Sequence, residues 1–337
     1  MIRVGIVGFG FMGQTHWRCY SQMADRAKVV AVADLDPRRA RGDITGTWGN
    51  LGDGAQSVDF TGVQGTTDWK ELIARDDVDV VDVCVPTPSH PEIAIEALAA
   101  GKHVLCEKPL ARTAKAAESI AVAAKAARGF MMPAMCVRFW PQWAWLKRAI
   151  DDKRYGRVLG ATFLRQGSGP PGWYRNGEMS GGALLDLHIH DTDFVCYLFG
   201  TPQAVSSRGY RAHTGAYDHV STQYIYSGVP LVTADGGWSF AAPYPFRMRY
   251  TVSFESGVTA DFDLARAEPL IVYDGEKGEP IECAATDGWF EEIRYFVDCV
   301  ASGQRPAVVT ADDALRAVRV IEAEARSIAG NRIEAVG

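Results

Sequence analysis

Asp186, His190 and Asp193 fall within one stretch, SGGALLDLHIHDTDFVCYLFG (residues 180–200), and carry side chains that can hold and pass protons. The stretch opens with Gly181 and Gly182, runs without Pro or Gly, and stops at Gly200 before Pro202. It reads as one helix, with Gly200 ending it in a left-handed conformation. On such a helix Asp186 and His190 stand one turn apart, roughly 40° around the axis, with Asp193 about 60° further on. Leu185, Ile189, Cys196 and Phe199 make the apolar stripe, so the acid–base trio shares a face that need not enter the core. An imidazole oriented by a carboxylate is a general base near neutral pH. The bland alternative is a solvated face with an i, i+4 ion pair. No metal is expected, since His188 lies about 200° around the helix from His190 and one ion could not take both.

A base needs a partner reaction, and the start of the chain indicates which. The apolar strand 2–7 runs into Gly8-Phe9-Gly10-Phe11-Met12-Gly13 and then a helix, which is GxGxxG with its required strand before and helix after. There the glycines permit a tight turn and close approach to a pyrophosphate, which sits on the helix N-terminus. A second strand, KVVAVAD, ends in Asp34, placed to accept from ribose hydroxyls. Asp34 favours NAD over NADP because a carboxylate repels a 2′-phosphate, while Arg38 and Arg39 just beyond it keep NADP possible.

Further strands of the same unit follow. Residues 41–67 read as a short helix or loop insertion with one strand near Val63. A helix over 68–75 precedes the apolar strand 78–85. Its carboxyl end carries Thr87, Pro88 and His90, with Ser89 and Glu92 at capping-box spacing, near the nicotinamide side. Purely structural capping is the alternative for Thr87 and His90. The strand HVLCE ends in Glu107 and Lys108, and Pro109 holds Lys108 extended, so its side chain should point into the cofactor crevice. A helix from Thr113 and the strand 130–136 complete the unit. Beyond it come a strand over 158–166, the loop GSGPPGWYRNGEMS, several β-rich runs joined by turn signals over 203–283, and two helices near 287–302 and 311–329. Of the clustered aromatics, Trp173 and Tyr174 stand in the Gly/Pro loop before the proposed helix, where they could stack on a sugar ring; the others suit a core or a subunit contact.

Composition narrows the field. A length of 337 residues suits two domains, and 47% apolar with 23% charged residues suits an ordinary soluble protein. A net charge of −6 with no basic block argues against a nucleic-acid partner, and no apolar run reaches membrane-spanning length. Seven scattered cysteines without a CxxC pair, and a start with no leader pattern, lead us to expect reduced thiols in a cytoplasmic protein.

Taken together, GFGFMG, AVADLDPRRA, PTPSHPEIAIEALAAGKHVLCEKPLA, VRFWPQWAWLKRAI and GGALLDLHIHDTDFVCYLFG resemble the Gfo/Idh/MocA oxidoreductases, grouped with glucose–fructose oxidoreductase and inositol dehydrogenase. The resemblance spans nearly the whole chain. It implies that Lys108, Asp186 and His190, at the positions of the family's EKP and D-x-x-x-H elements, line the substrate pocket. The irregular segment 41–67, and His188 where many members have Gly, depart from the pattern.

The expected architecture is an N-terminal Rossmann domain, a doubly wound parallel sheet over 1–128. An α+β substrate and oligomerisation domain over 129–337 follows, with an open, mostly antiparallel sheet and helices on one face. The expected activity is hydride transfer between NAD(P) and a secondary alcohol of a sugar, cyclitol or related polyol. In it His190 is the base, Asp186 its orienting acid, and Lys108 the charge beside the reacting oxygen. Glycoside cleavage by transient oxidation, or cofactor binding without turnover, are the alternatives. A homo-oligomer, dimer or tetramer, is expected because an open sheet needs its face covered.

Overall fold

The computed structural model describes residues 1–47 and 57–337. The chain forms two compact units, residues 1–136 with 288–315, and residues 137–287 with 316–337. This differs from a single cut after residue 128. The last strand of the first sheet lies beyond that point, and a late helix returns to the first unit.

In the first unit six strands run parallel in the order β3-β2-β1-β4-β5-β6. They are Ile2–Val7 (β1), Ala27–Ala33 (β2), Gln64–Thr66 (β3), Val80–Val83 (β4), His103–Glu107 (β5) and Met131–Ala134 (β6). The connecting helices are Phe11–Ser21 (α1), Trp69–Ile73 (α2), His90–Ala99 (α3) and Ala114–Ala126 (α4). Val4, Ile6, Val81, Val104 and Leu105 are wholly buried, as strands covered on both faces require. Thr113 caps α4 as expected, its hydroxyl accepting from the Ala116 N–H at 3.2 Å. The Ser89–Glu92 capping box does not form. A 3₁₀ turn over Thr87–Ser89 runs straight into α3, so the Ser89 backbone is already helical (φ −89°, ψ −11°) and its side chain caps nothing. In the irregular segment the described residues hold a one-turn 3₁₀ helix, Arg39–Arg41, and β3 next to the expected position near Val63; residues 48–56 of the insertion lie outside the described residues.

The second unit is built on a nine-stranded sheet. Its strands are Val158–Ser168 (β7), Ala204–Tyr210 (β8), His219–Ile225 (β9), Leu231–Phe240 (β10), Arg247–Phe254 (β11), Thr259–Asp263 (β12), Leu270–Asp274 (β13), Lys277–Pro280 (β14) and Glu334–Ala335 (β15). In the order β14-β13-β12-β11-β7-β10-β9-β8-β15, only the β7–β10 pair is parallel. Helices Pro141–Asp151 (α5), Gly177–Ser180 (α6), Gly182–Asp186 (α7) and Ile189–Phe199 (α8) belong to this unit. Gly288–Ser302 (α9) returns to the first unit, and Ala311–Gly330 (α10) begins in the first and continues in the second. Thr310 and Asp313 do form a reciprocal cap for α10.

The fully buried Trp143 on α5 centres the second core. Its ring packs edge-on against Phe194 of α8 at 4.8 Å and Tyr250 of β11 at 5.2 Å, and lies 5.8 Å from Phe163 of β7. Each such pair adds roughly 0.5–1.5 kcal/mol beyond its burial. Together they fasten α8, the helix of His190, to the sheet.

Candidate functional site

The nucleotide residues collect where the first sheet's strands end. Gly8 has φ +91°, and a Cβ there would stand 2.7 Å from the Cys84 carbonyl oxygen; a Cβ on Gly13 would stand 2.1 Å from that of Gly8. Only glycine fits either position. Gly10 is different, since a Cβ there would meet nothing within 4 Å. That open approach, and the first-turn N–H groups of Phe11, Met12 and Gly13 with no side-chain cap, fit a pyrophosphate.

Asp34 follows β2 and accepts from the Phe9 N–H at 2.7 Å and the Asp36 N–H at 2.8 Å. The carboxylate is thus fixed beside the glycine loop, with lone pairs left for ribose hydroxyls. Arg38 is exposed and already paired with Asp36 at 2.8 Å, and this guanidinium holds the Asp36 carboxyl down at about 2. An arginine so engaged is less available to a 2′-phosphate, which favours NAD.

Thr87 is buried and Pro88 exposed in the loop after β4. His90 is buried, with one ring nitrogen 2.9 Å from the Pro109 carbonyl oxygen and the other 2.8 Å from that of Val85. Burial lowers its basicity. It serves as a strut between two loops, and the capping alternative for this residue gives way to that role. Lys108 is half-buried just after β5, and its bond to Pro109 is cis.

Directly before Lys108, Glu107 is almost wholly buried and anchors a network the sequence reading missed. One of its oxygens accepts the Lys108 N–H at 2.9 Å, and the other lies 3.2 Å from Nε2 of His16. Nδ1 of His16 is 2.9 and 3.0 Å from the two Asp82 oxygens, and Tyr20 donates to Asp82 at 3.0 Å. Burial alone would make His16 less basic, but Asp82 overrides it and holds it well above the ordinary histidine value. The ring is therefore an imidazolium between two buried carboxylates. Cys84, 3.4 Å from Nδ1, is pushed well up by burial and by Asp82, and stays a neutral thiol. His16, Asp82 and Cys84 are metal-capable donors. Yet donors bound at about 2.0–2.3 Å around a tetrahedral ion stand about 3.3 Å or more apart, and the His16–Asp82 contacts are shorter. A proton holds this cluster. The available signals were a histidine three residues past Gly13 and an acid, Asp82, in the middle of the apolar run VDVVDVCV.

In the second unit, residues 180–200 are not one helix. Ala183 accepts from both Leu187 N–H at 3.0 Å and His188 N–H at 2.8 Å, so one extra residue is looped in and α7 ends at Asp186. Such a π-type bulge turns everything after it around the axis, and the one-turn relation between Asp186 and His190 does not carry across it. Gly200 ends α8 with φ +79° but ψ −167°, outside the left-handed helical region. His188 is wholly buried, facing Glu324 of α10 at 3.5 Å and the Tyr224 hydroxyl at 3.2 Å. Burial works against its charged form, but Glu324 raises its pKa overall. His190 is half-exposed, so the two histidines do point to different surroundings. Asp186 is 8% exposed at the end of α7.

Asp193 is not part of an open face. It is buried in a two-pronged pair with Arg138, at 2.6 and 2.8 Å. Asp191 makes a matching buried pair with Arg165 of β7, at 2.9 and 3.0 Å. His190 thus sits in a segment bolted down on both sides. Trp173 and Tyr174, half-exposed on the 3₁₀ turn Gly172–Arg175, stack on each other at 4.2 Å, which takes up one face of each ring.

Two family models match the chain. Residues 2–134 match the oxidoreductase family with NAD-binding Rossmann fold, and residues 143–263 match the GFO/IDH/MocA C-terminal domain. Inositol 2-dehydrogenase of Rhizobium meliloti is 29% identical, covering 98% of both chains. Inositol 2-dehydrogenase of Acidothermus cellulolyticus is 30% identical over 83% of this chain and 78% of its own. Among solved structures, levoglucosan dehydrogenase in complex with NADH and levoglucosan superposes with a TM-score of 0.84 at 23% identity over 99% of both chains, a likeness of fold. With the glycine loop, Asp34 and the segment around His190 in place, the chain belongs to the GFO/IDH/MocA oxidoreductase family and is an NAD(P)-dependent dehydrogenase.

Proposed function

We propose that this dehydrogenase oxidises a secondary alcohol of a sugar, cyclitol or related polyol, with NAD as the preferred cofactor. The observation that carries the reading is the setting of His190. It is half-exposed, while its neighbours Asp191 and Asp193 are each locked by a buried arginine. An imidazole held that firmly loses little motion when it meets a hydroxyl. His190 accepts the hydroxyl proton as hydride leaves the same carbon. Asp186 stabilises the imidazolium that forms, and Lys108 stabilises the developing alkoxide. Bound NAD would supply the hydride acceptor; Gly8, Gly10, Gly13 and Asp34 would hold it. The names of the relatives support a cyclitol or sugar substrate.

The test is NADH formation at 340 nm across a panel of inositols, hexoses and anhydrosugars, with His190→Ala as the control. Glycoside cleavage without net NADH would replace this reading with transient oxidation. Cofactor binding with neither reaction would make the chain a sensor. Among the described residues no helix is long and apolar enough to cross a membrane. We further propose self-association through the sheet, supported by the exposed Leu159 and Leu231 on adjacent regions of β7 and β10, and measurable by sedimentation. The free state of all seven cysteines supports a cytoplasmic, reducing compartment.

A further inference from the structure

We propose that the second unit holds a subsite for a carboxylate, formed by Arg175 and His213 against Trp238 and Phe240, and that the physiological substrate is a sugar acid. The proposal rests on the dehydrogenase reading above and narrows its substrate.

These four residues, with Gly169, Pro170 and Thr214, line a cavity of about 160 Å³. That is small beside the roughly 300–1,000 Å³ of sites for drug-sized ligands, and suits one ring or the acidic end of one. Two cationic or potentially cationic side chains face this space. Both are exposed, and among the described residues neither side chain has a hydrogen-bond or ion-pair partner. Elsewhere in the unit Arg138 is committed to Asp193, Arg165 to Asp191 and Arg157 to Glu255, while Arg208 bonds a carbonyl and Arg211 rests on the Tyr217 ring. Arg175 stands out as uncommitted at a cavity wall.

The buried carboxylate that holds the cavity's 212–214 turn does not take its place. Asp218 is buried and accepts from the N–H groups of Ala212, His213 and Thr214, from the Thr214 hydroxyl, and from the Trp238 indole. Those donors absorb its charge and pin the 212–214 turn to Trp238, so the cavity wall is preformed. They also spend the turn's N–H groups. An incoming anion therefore finds one guanidinium fork, one imidazole and two aromatic walls, without a cradle of backbone N–H groups. That donor set matches a planar monoanionic carboxylate better than a phosphate, which calls for more donors. The rings suit the C–H face of a sugar.

The cavity wall also shares β10 with a contact to the segment that carries the proposed base. On β10 a Cβ at Gly236 would stand 2.8 Å from Nδ1 of His188, two residues before His190. Trp238 points to the same face of the sheet, about 7 Å further along the strand. The Gly177 N–H bonds the Thr214 carbonyl at 2.9 Å, and the Leu184 N–H bonds that of Tyr217 at 3.1 Å. The cavity wall and the segment leading to Asp186 are thus tied together.

Calorimetry on the full-length His190→Ala protein with NADH, using D-glucuronate and D-galacturonate against D-glucose and D-galactose, tests binding without turnover. We expect the uronates to bind at least about tenfold tighter than the neutral sugars. Adding Arg175→Gln should weaken uronate binding about 10- to 100-fold, the worth of a charge-assisted contact, and leave the neutral sugars unchanged. Arg175 is exposed, and an unchanged melting curve for the variant checks its fold. Equal affinity for acid and neutral sugar, or an equal loss for both in Arg175→Gln, would overturn the subsite. Uronate binding that depends on Arg175, with no NADH formed by the wild type from any sugar, would leave the subsite standing and sink the dehydrogenase reading.

Discussion

Replacing His16 by Leu removes the only cation from a buried cluster that contains two carboxylates. Asp82 would keep the Tyr20 hydroxyl and Glu107 the Lys108 N–H, but neither would retain a positive partner. Breaking a buried charge pair from one side costs about 3–5 kcal/mol, a large part of the roughly 5–15 kcal/mol that holds a domain together. For a unit of this size each kcal/mol moves the midpoint by about 2–4 °C, so the melting temperature should fall by about 6–20 °C. Scanning calorimetry of the full chain, read on the transition that NADH shifts upward, measures it. The sign of the pH dependence follows from His16 being more basic folded than unfolded. Its contribution is complete below its ordinary value of about 6.5 and is lost as pH rises through the higher folded value. The gap between wild type and His16→Leu should therefore narrow toward alkaline pH. A gap below about 1 kcal/mol at pH 6.5, or one that widens with rising pH, would refute the imidazolium and leave a neutral hydrogen-bonded histidine.

Three further outcomes follow from the same geometry. Asp34→Ala should weaken NAD more than NADP in fluorescence titrations, and a wild type that binds NADP more tightly would turn the assignment toward Arg38 and Arg39. Asp193→Ala should destabilise the second unit by about 3–5 kcal/mol by taking the carboxylate away from the buried Arg138, and should lower kcat through the displaced His190. A double variant with Arg138→Met that loses less than the sum of the single losses would confirm the pairing. Lys108→Met should reduce turnover by about 10²-fold or more with NADH affinity nearly unchanged; unaltered turnover would make it a surface lysine.

Much of this protein was legible in local pattern. GxGxxG between a strand and a helix, an acid after the second strand, and apolar strands alternating with helices specify a parallel nucleotide-binding sheet, because each element carries its own periodicity and punctuation. The turn-bounded strands of 203–283 likewise implied the antiparallel sheet. Only the tertiary structure could decide what depends on partners far apart in the chain. His16 meets Asp82 and Glu107 across 66 and 91 residues of sequence, so their pairing leaves no local spacing to read. Asp193 looked solvent-facing beside His190 until Arg138 was found against it, 55 residues away. Nor could periodicity foresee the looped-in residue between Asp186 and His190. The bulge accompanies burial of His188 against Glu324 of α10, a contact made only once the chain has closed on itself.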